Sequence, residues 1–263
     1  RDGRKSVSWG LLSKGLAGIK VHVIGNAALD ETLAVANFPQ PGASIFGRAL
    51  AQDLGGKGVN QAVALARAGL DCRLVAAVGQ DARGREIADR LAHEPLQADL
   101  LTLPVATDRS LILMAGTEHG VGVAGASENA VITTRAAADA LTAAHVDRAL
   151  QESTAGDLLV LQGNLALPVT RATLLAARRR KLRCILNPSP FEPGVADLLT
   201  LVDTIFVNEG EAALLGGPDV IRAAGVGEVV ITRGAAEASP CTNRATSSVA
   251  KLGATAQTSA VIT

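Results

Sequence analysis

Gly55-Gly56-Lys57-Gly58-Val59-Asn60-Gln61 sets three glycines and a lysine directly ahead of the alanine-rich run Ala62-Val63-Ala64-Leu65-Ala66-Arg67. Glycine lets a backbone approach a bound molecule closely. The first turn of a helix also leaves N–H groups without intrahelical partners, and ligand oxygens can complete them. The chemistry on offer is hydrogen bonding to a polar, oxygen-rich molecule. A glycine turn ahead of an ordinary amphipathic helix, with Val59, Ala62, Val63 and Ala66 facing a core, accounts for the same residues.

Both standard phosphate loops fail against this sequence. A Walker A loop ending at Gly56-Lys57 requires glycine at 51 and a hydroxyl residue at 58, where the chain has Ala51 and Gly58. A dinucleotide fingerprint after the first apolar run requires G-x-G-x-x-G, where the chain has Gly25-Asn26-Ala27-Ala28-Leu29-Asp30. A nicotinamide-dependent enzyme is left as a fold-level analogy only.

Other polar residues follow apolar runs. Asp30 comes shortly after residues 21–24, Asn187-Pro188-Ser189-Pro190 ends residues 184–186, and Asn208-Glu209-Gly210-Glu211 follows residues 204–207. Each has a purely structural account as a turn residue or a helix cap. Carboxylates in a first helical turn gain about 0.3–1 kcal/mol from the helix dipole. At that place Glu211 can equally orient Mg²⁺ through water, since magnesium keeps much of its hydration shell.

The elements that must position these groups alternate along the chain. Strands are expected at 21–24, 74–78, 158–161, 184–186, 204–207 and 228–232, and helices at 59–68, 83–92, 135–144, 169–180, 209–215 and 220–224. This rhythm predicts an α/β fold with a parallel sheet covered by helices, and functional residues at the carboxyl ends of the strands. Residues 43–51, and 110–115 with 121–124, break the rhythm as extended pieces and are expected to form a small lid sheet.

The 263 residues carry 25 Lys plus Arg against 25 Asp plus Glu, a formal net charge of zero, so neither nucleic acid nor an anionic membrane is expected as a partner. Arg178-Arg179-Arg180-Lys181-Leu182-Arg183 reads as the basic end of a helix. Aromatic residues are 2%, with no tyrosine, which excludes recognition dominated by ring stacking. Three cysteines without C-x-x-C spacing read as reduced thiols, which points to the cytoplasm. His22, His93, His119 and His145 have no metal-ligand spacing. No apolar run is long enough to span a membrane.

Taken together, these motifs resemble the ribokinase-like (PfkB) family of carbohydrate kinases over about residues 21–237. Gly55 to Gly69 resembles the family's first signature, Gly25 to Asp30 its first strand-end motif, and Asn187–Pro190 and Asn208–Glu211 its N-P-x-P and N-x-x-E motifs. Thr232-Arg233-Gly234 is similar to its nucleotide-side turn; Pro41-Gly42 and Gly79 to Gly84 match further loops. The resemblance implies a three-layer α/β/α fold, mostly parallel, with a small β lid near 43–51 and 110–124. It also implies ATP-dependent phosphorylation of a sugar hydroxyl with Mg²⁺, and a homodimer through the lid. Carried over by motif, Asp30, Gly56, Lys57, Asn60 and Asn164 hold the sugar or nucleoside. Asn187, Thr232 and Gly234 lie towards the nucleotide, and Glu211 orients magnesium-bound water.

This sequence departs from the pattern at several positions. Ala28 stands where ribokinases usually carry asparagine two residues before Asp30, and Asn164 replaces a sugar-contacting glutamate. The second signature, G-A-G-D, supplies the catalytic base and anion hole and does not occur in the 263 residues. Loss of a general base costs about 10²–10⁴-fold, and loss of an anion hole about 10²–10³-fold. Residues 1–20 read as an N-terminal extension, and 238–263 as the atypical tail of a truncated sequence. The sequence therefore predicts a sugar kinase whose base is missing, or a sugar- or nucleoside-binding protein derived from one.

Overall fold

Aliphatic runs with few charges form the centre of the fold, because a parallel strand covered on both faces must be apolar on both. The computed structural model describes residues 18–116, 128–233 and 236–241. In chain order the elements begin with β1 (Lys20–Ile24), β2 (Ala28–Val35), β3 (Gly47–Gly55), α1 (Lys57–Arg67), β4 (Asp71–Gly79), α2 (Ala82–Leu91) and β5 (Gln97–Leu103). There follow β6 (Asp108–Ala115), β7 (Asn129–Thr133), the short helices α3 (Ala136–Asp139) and α4 (Ala143–Ala149), β8 (Leu158–Gln162), α5 (Leu167–Arg179) and β9 (Arg183–Asn187). A 3₁₀ helix (Pro193–Leu201), β10 (Thr204–Asn208), α6 (Glu209–Leu214), α7 (Pro218–Ala223), β11 (Glu228–Arg233) and β12 (Ala236–Cys241) complete it.

The main sheet runs β12-β11-β10-β9-β8-β1-β4-β5, parallel throughout except for β12, which pairs antiparallel with β11. Alternate residues face opposite layers. Val21, Val23, Leu74, Ala76 and Val160 pack with Val59, Ala62, Ile87 and Leu91 of α1 and α2, whereas Ile24, Leu161, Leu186, Ile205 and Val229 pack with Leu174, Ala177, Leu198, Ala212 and Ile221. This is the expected ribokinase-like α/β architecture. All six strands expected in this sheet are present, as is β5, whose Gln-Ala-Asp-Leu-Leu-Thr-Leu is too polar to read as a buried run.

Strand order reverses between β1 and β8, since β1 leads to β4 on one side and β8 leads to β9 on the other. Open α/β sheets bind ligands in the crevice beyond the strand ends at such a point. At the other end of these strands, buried His22 pairs with Asp157 through Nε2 at 3.2 Å, and Asp157 also accepts from the Lys20 N–H. That pair therefore lies away from the crevice.

A second sheet, β3-β2-β6-β7, leaves the body directly after β1. β2 pairs antiparallel with β3 and parallel with β6, so the segments expected around 43–51 and 110–115 do not pair with each other. They flank β2, whose polar Asp30-Glu31-Thr32 stretch hides its strand character from a hydrophobicity reading. Residues 121–124 lie outside the described residues.

The single helix expected over 135–144 is two. Thr142 Oγ1 accepts from the His145 N–H at 3.3 Å, while His145 Nδ1 accepts from the Thr142 N–H at 3.2 Å. This reciprocal cap starts a new helix and ends the old one before it. The basic run closing α5 is paired: Arg178 contacts Asp203 at 2.8 Å and Arg180 contacts Asp147 at 3.0 Å. No helix among the described residues is long and apolar enough to cross a membrane.

Candidate functional site

Asn26, 3% exposed just past β1, governs how the glycine segment is used. Its Oδ1 accepts from the Gly58 N–H at 3.2 Å and its carbonyl accepts from the Val59 N–H at 3.2 Å. These are the free N–H groups of the first turn of α1, so Asn26 takes donors that the sequence offered to a ligand. The glycines serve that contact: Gly56 sits at φ 89, and a Cβ on Gly58 would stand 2.7 Å from the Asn26 carbonyl oxygen and 2.8 Å from its nitrogen. The segment thus presses the start of α1 onto the switch point, and it offers side chains to the crevice.

The lid strand β2 carries Asp30 beside this start. A Cβ on Gly55 would collide with the Asp30 carboxyl group, so glycine there leaves room for the carboxylate. Asp30 Oδ1 is buried and has no hydrogen-bond partner. Burial pushes its pKa above the ordinary carboxylate value; the Ser110 hydroxyl opposes this and Asp53 adds to it. Lys57 is half-buried at the first position of α1; burial lowers its pKa and the nearby Glu211 carboxylate partly restores it. Asn60 lies one turn further on, and among the described residues its side chain makes no hydrogen bond.

The ends of β8 to β11 form a polar shelf next to it. Gln162, fully buried, donates from Nε2 to Gln61 Oε1 on α1 at 2.7 Å, while its own Oε1 lies over Gly25 without a partner. Asn164 Oδ1 is likewise buried and unpartnered. Asn187, in register with Gln162, donates to the Phe206 carbonyl at 3.0 Å and keeps an unpartnered Oδ1. Thr232, in register with Asn208, holds the Val207 carbonyl at 3.5 Å. Gly234 lies outside the described residues.

Glu211, 8% exposed, already has structural work. Its Oε2 accepts from the Asn208 N–H at 2.9 Å and its own N–H donates to Asn208 Oδ1 at 2.7 Å, a capping box that starts α6. Among the described residues no three His, Cys, Asp or Glu side chains gather to hold a metal. A lone carboxylate with a committed oxygen fits an ion held through its water shell and does not fit a protein cage.

The structure therefore brings Asp30, Gly56, Lys57 and Asn60 to one end of the sheet, with Asn164, Asn187, Thr232 and Glu211 along the neighbouring strand ends. Sequence reasoning missed Gln162, Gln61 and Ser110. Gln162 had a readable signal: a carboxamide closing the apolar run Leu158 to Leu161, immediately before a glycine.

Known proteins resemble this chain in sequence and in fold. The ribokinase of Haemophilus influenzae is 30% identical over 227 residues, covering 81% of this chain and 71% of that protein. A ribokinase structure from Giardia lamblia superposes with a TM-score of 0.70 at 23% identity, over 86% of this chain and 72% of that one. The ribokinase of Cryptococcus neoformans, solved in complex with ADP, gives 0.66 at 25% identity, over 84% and 75%. The model of the pfkB family carbohydrate kinases matches residues 19–261, and with that span the chain belongs to this family.

Proposed function

We propose that the protein is an ATP-dependent sugar kinase, which binds a sugar or related polyol at Asp30, Gly56, Lys57, Asn60 and Asn164 and transfers the γ-phosphoryl group to one of its hydroxyls. The observation that carries this reading is Asp30: a buried, unpartnered carboxylate oxygen, given room by Gly55, beside the switch-point crevice. A carboxylate so placed is completed by hydroxyl donors, and charge-assisted bonds of this kind are about twice as strong as neutral ones. Lys57 and Asn60 supply donors on the other side of the same sugar. Residues 21–237 form the kinase body and its lid segments in this reading.

ATP with Mg²⁺ supplies the phosphoryl group and its charge neutralisation when bound. Asn187, Thr232 and Gly234 are assigned to the nucleotide side, supported by the spare Asn187 Oδ1. Glu211 is assigned to magnesium-bound water. The lid excludes water from the acceptor. No base is assigned, because G-A-G-D is not among the 263 residues. The exposed Ile45, Phe46, Leu50, Val131 and Ile132 on or beside the lid support a homodimer through it. Cys72 and Cys184 are buried free thiols with pKa values pushed up to about 12, which suits a cytoplasmic setting.

Separate calorimetric titrations with ribose, fructose and Mg-ATP test the reading. A sugar and the nucleotide should each bind saturably. Sugar binding without nucleotide binding favours the alternative, a sugar-binding protein that does not transfer phosphate, and binding of neither refutes both.

A further inference from the structure

The lid sheet places a second carboxylate opposite Asp30. In the antiparallel register of β2 and β3, Asp30 faces Asp53, and directly opposed residues share a face of the sheet. Asp30 is also in register with Ser110 on β6, and Ser110 with Thr133 on β7, whose hydroxyl donates to Ser110 Oγ at 3.2 Å. The row Asp53, Asp30, Ser110, Thr133 therefore crosses all the lid strands on one face.

Directly opposed like charges destabilise a strand pair, and aspartate is disfavoured in strands. Among the described residues neither Asp30 nor Asp53 has an ion-pair partner. The nearby cations are directed elsewhere. Arg83 pairs with Glu31 on the opposite face of β2, Arg90 pairs with Glu86 and donates to the Gln52 main-chain carbonyl, and Arg109 lies opposite Leu29. Arg48 shares the face but sits opposite Ala34, four residues along β2 from Asp30 and so roughly 13 Å away. Lys57, on the other side of the proposed acceptor site and not in this row, has the Glu211 carboxylate near it to offset its charge.

We infer that Asp53 is a specificity-determining residue which, with Asp30, gives the lid wall of the acceptor site a double negative charge that admits uncharged or amino-bearing polyols and excludes phosphorylated sugars. The inference rests on the acceptor site proposed above. A sugar phosphate brings like charge against this wall with no described cation in the row to receive it. Hydroxyls donate to both carboxylates, and an ammonium adds attraction.

Calorimetric titration of the protein with ribose, fructose and glucose, with ribose 5-phosphate, fructose 6-phosphate and glucose 6-phosphate, and with glucosamine tests this. Each sugar that binds should outbind its phosphate by about tenfold or more, and glucosamine should bind at least as tightly as glucose. In Asp53→Asn, an exposed and structurally mild change, the discrimination should narrow by about threefold to fivefold, and raised salt should narrow it in the wild type. A phosphate that binds as tightly as its parent, or a ratio unmoved in Asp53→Asn, overturns the assignment of Asp53 while leaving the sugar site standing. Binding of none of the panel refutes the acceptor site itself and the inference with it.

Discussion

Asp30→Ala is expected to weaken sugar binding by about 30–200-fold, equivalent to roughly 2–3 kcal/mol for losing charge-assisted hydrogen bonds at a half-buried site. The fold should survive, because the carboxyl group has an unpartnered buried oxygen and makes no ion pair among the described residues. Removing a desolvated charge next to Asp53 should leave thermal stability unchanged or slightly raised. The same carboxylate sets a pH dependence. Its pKa is raised in the folded protein by burial first and by Asp53 as well. Protonation therefore begins above the ordinary aspartate range as pH falls, and the ionised form that accepts sugar hydroxyls is lost earlier than for an exposed aspartate. Affinity measured by calorimetry should be flat near neutrality and fall on acidification, and Asp30→Ala should abolish that fall. Undiminished sugar affinity in Asp30→Ala would remove the assignment.

Gly58→Ala should reverse the usual helix rule. Alanine normally stabilises a helix over glycine by about 1 kcal/mol. Here the added Cβ meets backbone: the Asn26 carbonyl oxygen at 2.7 Å, the Asn26 nitrogen at 2.8 Å and the Gly25 carbonyl carbon at 2.9 Å. Backbone on both sides cannot rotate away, so β1 and α1 must separate. Overpacking of this kind costs about 1–3 kcal/mol, which a chain of this size reads as a drop of roughly 2–4 °C in Tm per kcal/mol. Sugar binding should weaken too, since Lys57 and Asn60 ride on the displaced turn. Gly210→Ala provides the contrast, because its nearest neighbour is a single side-chain atom, Asn208 Oδ1 at 3.3 Å in the first turn of α6, and it should lower Tm less than Gly58→Ala in the same melting experiment. Equal melting temperatures for the two variants would show that the close approach at Asn26 is not what the glycine serves.

The parallel sheet was legible because its strands are buried on both faces and so stand out as apolar runs between glycines and prolines. Where burial is partial the signal fades. β5 lies at the sheet edge with Gln97, Asp99 and Thr102, and β2 carries Asp30, Glu31 and Thr32 in a lid whose outer surface is exposed. The break between α3 and α4 depends on a histidine side chain reaching back to Thr142, which no apolar period records. At the proposed site, motif order pointed to Asp30, Lys57 and Asn60, which the fold brings to one end of the sheet. What the sequence could not show is that Asn26 takes the N–H groups of Gly58 and Val59. That contact joins residues 32 apart in the chain, which no local pattern records. Neither Asp53 nor Ser110 belongs to a motif; only strand register brings them beside Asp30.

In the proposed function, the crevice between β1 and β8, roofed by Asp30 on the lid, holds the acceptor sugar. A crystal structure of the protein with whichever of ribose or fructose binds in titration tests it most directly. The account predicts sugar hydroxyls at about 2.6–3.2 Å from the Asp30 carboxylate and the Asn60 side chain, with Gly55 and Gly56 against the ring. A sugar seated elsewhere, with Asp30 left without a ligand, would contradict it.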